Sequence, residues 1–383
     1  MTSPIISDDE FRTRIERLQT AVAEAKLDGV LVFSTECEPA GVRYFSDYWP
    51  SFETTAVLAP RDGEPVLLIG PESGTFARAR SKIERIVRMR DFRESSQPDY
   101  PGAKLTQWRE LLGEMRIERL GIAGWHAIPH SIFAGIAAVL GPENVVEADG
   151  LVRAITVRKS PAELDCLREA ARISELGLAA VLESIRPGMT ETQLAGIAAG
   201  AMLTQGAEAT GYPIWCCSGP NSNQAISRPT HRPVQEGEII HFSVGAKVSG
   251  YSASIGRPVF LGHCPEETRR FVQVGLDAEN LTFDLMRAGS PACEVATKVH
   301  RFITDRGYGE AILYGPAHGC GQMECEFPFL ETSSDFRLEP GMVFMVDVFL
   351  STSQMGFRWE DGAIVTEDRA EQLSTFKREL IVL

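Results

Sequence analysis

Two hydrophobic periods alternate along the first part of the chain. FRTRIERLQTAVAEAKL, starting at Phe11, places its apolar residues every three to four positions and predicts a helix. GVLVF, TTAVLAP and PVLLIG are short β-branched runs closed by Gly or Pro, and predict strands. A helix over Ala103–Glu114, the strand-like RLGIAG and a helix around SIFAGIAAVLG complete a small α/β unit. The pattern then breaks. Ser160 supplies a cap, Pro161 suits a first helical turn and Glu163 completes a capping box ahead of the long run ELDCLREAARISELGLAAVLESI. The break predicts two domains, residues 1–155 and 156–383.

Downstream the pattern approximately repeats. RPGMTETQLAGIAAGAML from Arg186 and RAGSPACEVATKVHRFI from Arg287 share a helix end, a Gly, a Ser or Thr cap candidate and a second helix. Each precedes a strand pair, GEIIHFSVGAKVSGYSASI from Gly237 and GMVFMVDVFLSTSQMGFRWED from Gly341. Laid over each other, the pairs set Ser243 against Asp347 and Ser254 against Glu360. Two similar αβ halves direct side chains into the cleft where they meet, so these positions form a candidate site.

Composition narrows the class. The length of 383 residues exceeds what one core usually organises, in agreement with two domains. With 44% hydrophobic and 23% charged residues the chain has the balance of a soluble globular enzyme. A formal charge of −14 argues against a nucleic-acid partner, which needs clustered Lys and Arg. No apolar run reaches membrane-spanning length, so no membrane partner is expected. The opening residues lack the basic and apolar regions of an export signal, which sets the expectation of a cytoplasmic protein. The eight cysteines contain no CxxC pair, so neither a disulfide framework nor a structural zinc site is signalled.

Six blocks, VRKSPAELDCLREAARI, IRPGMTETQLAGIAAGAM, SGPNSNQAISRPTHRPVQEGEII, GPAHGCGQMECEFPFLE, LEPGMVFMVD and FRWEDGAIVTEDRAEQLS, resemble in order and spacing the signature blocks of the creatinase and aminopeptidase P family. The resemblance implies a carboxyl-terminal pita-bread catalytic domain, an α+β fold with pseudo-twofold symmetry, behind a creatinase-like amino-terminal α/β domain. In the peptidase members five side chains bridge two metal ions. Carried over position by position, those five fall on Ser243, Ser254, His318, Asp347 and Glu360. Two are neutral hydroxyls, poor ligands for adjacent hard cations, so a dinuclear centre is not expected. Two family histidines are replaced as well, by Ile226 in AISRPT and by Cys325 in CEFP.

What remains is a proton-transfer set of His318, Asp347 and Glu360, because carboxylates raise imidazole basicity and burial can keep an acid protonated. His241 lies two residues before Ser243 on a predicted strand and stands as a second base. Ser243, Ser254, Cys325, Arg257, Arg358 and Trp49 are candidates for holding a substrate, and Arg257 and Arg358 have internal pairing as their other reading. The carboxylates also suit an amidinium or guanidinium substrate. The expectation is a hydrolase of a C–N bond in a small polar compound, creatinase-like, with no cofactor. The alternatives are a Xaa-Pro dipeptidase-like enzyme with one Zn, Mn or Fe on His318, Asp347 and Glu360, and a pita-bread binding protein without catalysis. Cys216, Cys217, Cys320 and Cys325 offer a thiolate route if their pKa values fall. Tyr44, Phe45, Tyr48, Trp49 and Phe52 form an aromatic cluster that in relatives reaches a neighbouring subunit, which implies a homodimer.

Overall fold

A computed structural model describes residues 4–383. The chain divides into two compact units, residues 6–156 and residues 157–383, the latter joined by residues 4 and 5. The first unit is built on a six-stranded sheet of β1 (Gly29–Ser34), β2 (Thr55–Pro60), β3 (Val66–Ile69), β4 (Ile86–Arg88), β5 (Leu120–Ala123) and β6 (Val145–Glu147), ordered β4-β3-β2-β1-β5-β6. Every residue of β1, β2 and β3 is buried, as expected for strands covered on both faces by helices. Helix Asp8–Glu24 packs Phe11, Ile15, Leu18 and Val22 inward at the spacing read from the sequence. Helix Trp108–Glu114 begins later than the predicted Ala103, because Thr106 instead bridges to Met89 in extended conformation.

The second unit carries β7 (Ala209–Thr210), β8 (Trp215–Ser218), β9 (Ile239–Val248), β10 (Tyr251–Phe260), β11 (Ala317–Gly319), β12 (Glu326–Leu330), β13 (Val343–Ser351), β14 (Gly356–Val365), β15 (Ala370–Gln372) and β16 (Ile381–Val382). Its main path runs β12-β11-β13-β14-β10-β9-β7, with β15 on β14, β16 on β10 and β8 on β9. The two long hairpins of the repeat, β9–β10 and β13–β14, therefore lie side by side. Gly256 pairs with Glu360, and Asp347 also pairs with Glu360 across the second hairpin. Helix Pro161–Ser184 starts in the predicted capping box, with Ser160 accepting from the Glu163 amide and Glu163 from the Ser160 amide. In the other half the cap symmetry fails: Thr190 caps helix Glu191–Thr204, but Pro291 precedes helix Ala292–Thr304, and Ser290 Oγ donates to the Leu285 carbonyl.

Helix Glu266–Leu285 backs the strand that carries the site. At Gly275 an added Cβ would stand 2.4 Å from Phe357 Cε2 and 3.0 Å from Trp359 Cδ1. Phe357 and Trp359 alternate on β14 with Arg358 and Glu360, so this contact fixes the back of the site-bearing strand. Gly275→Ala is expected to lower stability by about 1–3 kcal/mol through overpacking, read by urea unfolding. An unchanged midpoint would mean that the helix can shift freely from the strand.

Candidate active site

Strand period decides which side chains meet. Residues two apart on a strand share a face, so Arg358 and Glu360 point together from β14, with Ser254 contributed by β10 and Ser243 by β9. Ser243 Oγ donates to Glu360 Oε2 at 2.5 Å and Ser254 Oγ donates to Glu360 Oε1 at 2.9 Å. Both carboxylate oxygens are thus engaged by the two hydroxyls that stand at the family's acidic positions. Tyr212 hydrogen-bonds Ser243 from behind. Glu324 Oε1, from the turn before β12, lies 3.1 Å from the same Ser254 hydroxyl oxygen.

Arg358 supplies the positive charge. Its Nε lies 3.4 Å from Asp347 Oδ1 and its Nη1 3.8 Å from Glu360 Oε2, while Nη2 donates to the Ala225 carbonyl at 2.8 Å and to Tyr314 Oη at 2.9 Å. The guanidinium stacks over the Trp215 ring, 4.4 Å from its centroid. Tyr314 Oη in turn donates to Asp347 Oδ2 at 2.8 Å. Asp347 Oδ1 is left without a hydrogen bond despite its burial. His318 turns its Nδ1–H to the Gly319 carbonyl at 3.1 Å, and its Nε2 lies 3.8 Å from Glu324 Oε1.

These neighbours shift the titrations. Burial pulls His318 down, but its hydrogen bond with Cys325 and the charges of Cys325, Asp347 and Glu360 outweigh that and raise it to about 9. Burial and the charge of Glu360 push Glu324 well above the carboxylate range. Burial also raises Asp347 against the opposing pull of Arg358. Glu360 goes the other way: burial would raise it, yet Arg358, the hydrogen bonds from Glu324 and Ser243, and His318 hold it below the usual value. At neutral pH the cluster therefore balances two carboxylates against one guanidinium and one imidazolium.

Several expectations change. Arg257 sits three residues from Ser254, on the opposite face of β10, where it pairs with Asp361 at 3.0 Å and donates to the Phe376 and Lys377 carbonyls, so it is not available to hold a substrate. His241 shares the face of Ser243, but the Phe349 ring stands against it at 5.7 Å. Its Nδ1–H donates to the Ser222 carbonyl at 2.9 Å and its Nε2 has no hydrogen-bond partner. Burial and Arg358 lower it to about 3, which leaves a neutral ring and a feeble base. Cys216, Cys217 and Cys320 are buried and their thiols are pushed up, Cys217 to about 12, which removes them as nucleophiles. Cys325 is exposed beside His318. Trp49 belongs to the first unit, where Arg43 lies over its ring at 4.7 Å. Tyr212, Trp215, Tyr314 and Glu324 reach the cluster through tertiary packing and carry no local signal.

The low His241 value has a consequence for stability. The folded pKa of about 3 lies below the ordinary imidazole value of about 6.5, so protons bind the unfolded chain preferentially as pH falls through this window, and stability is lost. Such a group costs on the order of 1.4 kcal/mol per pH unit. His241→Asn, which keeps a donor for Ser222, is expected to flatten the stability profile between pH 6 and about 4 in urea titrations. A slope equal to that of the parent protein would contradict the burial of a neutral imidazole.

His318, Asp347 and Glu360 bring ligand atoms within 4.8 Å of one another, a set able to hold one divalent ion. A pair of ions does not fit, since Ser243 and Ser254 are neutral and both spend their hydroxyl protons on Glu360. Among the described residues no helix is long and apolar enough to cross a membrane.

Residues 165–367 match the metallopeptidase family M24, and residues 14–156 match the creatinase/prolidase N-terminal domain. A Xaa-Pro dipeptidase of Pyrococcus furiosus is 24% identical over 97% of this chain and 100% of its own. A creatinase of Bacillus sp. strain B-0618 is also 24% identical, over 97% of this chain and 92% of its own. The solved Xaa-Pro dipeptidase of Bacillus anthracis superposes with a TM-score of 0.83 at 25% identity, covering 97% of this chain and 100% of that one. Identity alone does not separate the peptidase from the creatinase. The chain is a hydrolase of two-domain creatinase and prolidase architecture, and it belongs to metallopeptidase family M24.

Proposed function

We propose that this protein hydrolyses a C–N bond in a small polar compound, as a cytoplasmic homodimer, without a dinuclear metal centre. The observation that carries the reading is the donation of Ser243 and Ser254 to the two oxygens of Glu360. Hydroxyls spent in this way cannot offset the charge of two cations, and Arg358 and His318 already balance the two carboxylates.

The geometry suggests roles. Asp347 Oδ1, buried and without a hydrogen-bond partner, is the base that takes a proton from the attacking water, and burial makes it a stronger base than an ordinary carboxylate. His318, protonated at neutral pH, returns a proton to the leaving nitrogen. Glu360 anchors the charge pattern, with Arg358 held beside Asp347 by Tyr314 and Trp215. A single ion on His318, Asp347 and Glu360 would polarise a carbonyl or acidify water. The second reading, a Xaa-Pro dipeptidase with one metal, is favoured by the convergence of those three ligands and by the relatives' names.

A panel of amidines, ureas and Xaa-Pro dipeptides, assayed with and without chelator, separates the readings. Turnover of an amidine or urea that survives chelation and is lost in His318→Ala and Asp347→Ala is the expected result. Dipeptide hydrolysis that requires Mn or Zn would establish the second reading instead. Activity should also decline above about pH 9, as His318 loses its proton.

A further inference from the structure

We infer that Glu191 is a positioning residue: its carboxylate closes the loop of residues 219–230 at its neck, and the closed loop holds Arg358 in place through the Ala225 carbonyl. The effect on turnover rests on the C–N hydrolase reading, whereas the closure of the loop stands on geometry alone.

Glu191 is the first residue of helix Glu191–Thr204 and is wholly buried. Its Oε1 accepts from the Ser218 amide at 2.8 Å, the Ser218 hydroxyl at 2.7 Å and Asn221 Nδ2 at 3.1 Å, all on the outgoing arm of the loop. Its Oε2 accepts from the Thr230 amide at 2.9 Å and the Thr230 hydroxyl at 2.7 Å, on the returning arm. One carboxylate thus bridges both arms, and none of these donors belongs to its own helix. Burial would raise its pKa, but the bonds from Thr230 and Ser218 outweigh that and hold it below the usual carboxylate value. It is therefore ionised at neutral pH, and each of the bonds is charge-assisted. Between the arms the loop lies on the site. Ser222 gives its carbonyl to His241 Nδ1, and an added Cβ at Gly356, where β14 begins, would stand 2.7 Å from that carbonyl oxygen. Ser227 hydrogen-bonds the buried Cys217 thiol, which β8 presents on the face of His241. Ala225 gives its carbonyl to Arg358 Nη2 at 2.8 Å. A guanidinium is planar, so anchoring Nη2 fixes where Nε points, and Nε lies 3.4 Å from Asp347 Oδ1. Opening the neck frees Ala225, and Arg358 loses the contact that sets its plane beside Asp347.

Labelling of the full-length protein with iodoacetamide, read cysteine by cysteine from peptide masses, tests the closure without turnover. Glu191→Gln keeps the shape of the side chain and removes its charge, and Thr230→Val, at an exposed residue, is the milder variant. Cys217 is expected to react about tenfold faster in Glu191→Gln and by a smaller factor in Thr230→Val, while Cys166 and Cys320, buried elsewhere, keep the parent rate. Arg358→Lys, which loses the planar donor to Ala225, should speed the reaction of Cys217 as well. Unchanged protection of Cys217 in the Glu191 and Thr230 variants overturns the inference, and so does a common rise at all three thiols, which marks general loosening. An unchanged rate in Arg358→Lys overturns the link between loop and guanidinium. Turnover adds a double-mutant cycle. Glu191→Gln is expected to lower kcat about tenfold with KM little changed, and to cost almost nothing further in the Arg358→Lys background. Equal losses in both backgrounds overturn the positioning role. Failure of the C–N hydrolase reading shows separately, as no turnover of any amidine, urea or dipeptide by the parent protein, and the labelling rates decide the loop's closure and its link to Arg358 in either case.

Discussion

Glu360→Ala is expected to abolish turnover, by a factor of about 1000 or more, and to lower stability by about 3–5 kcal/mol. Glu360 is where the cluster converges. It accepts from Ser243 and Ser254, lies 3.8 Å from Arg358 and shares a hydrogen bond with Glu324. Its removal takes the shared anionic acceptor from two buried hydroxyls, leaving them Tyr212 and Glu324 as partners, and weakens the compensation of a buried guanidinium. Urea unfolding and turnover on one preparation check both effects. A loss below about 1 kcal/mol would mean that water replaces the carboxylate without cost, and that the cluster is not the closed network described above.

Arg358→Met produces the second large effect. The guanidinium lies 3.4 Å from Asp347 and 3.8 Å from Glu360, and without it two buried carboxylates face each other with only the His318 imidazolium to offset them. A loss of about 3–5 kcal/mol is expected at pH 8. The sign with pH follows from linkage. Without the cation the folded pKa of Asp347 rises further above its unfolded value, and that of Glu360, held down by Arg358 in the parent protein, rises as well. The variant then recovers stability as pH falls and the carboxyls take up protons, so its deficit shrinks toward pH 5. The same variant should gain thermal stability from Mn or Zn, since its site has become net negative, whereas the parent protein should gain much less. A deficit that does not vary with pH would show that the loss is one of packing against Trp215 and Phe349 and not of charge.

How far the sequence reached is visible in single residues. The capping box at Ser160 is a local device, legible because its partners lie three residues apart. Ser243, Ser254, Asp347 and Glu360 could be grouped because the repeat aligned two hairpins that do lie side by side. Strand period alone separates Arg358, two residues from Glu360 and on its face, from Arg257, three residues from Ser254 and on the other face. The same rule puts His241 on the face of Ser243 but does not foretell its surroundings: the Phe349 ring of β13 packs edge-on against it and burial keeps it neutral. Tyr314, Tyr212 and Glu324 were not legible. Each lies on a turn or short connection, and what brings it to the cluster is long-range packing that no local pattern encodes.

The most direct test of a charge-balanced site is metal analysis by plasma mass spectrometry of protein purified in the presence of Mn and Zn and then exhaustively dialysed. No pair of ions is expected to be retained, and at most one weakly held ion per subunit. Two tightly bound divalent ions per subunit would contradict it, because Ser243, Ser254 and Arg358 would then have to rearrange around cations that their present contacts exclude.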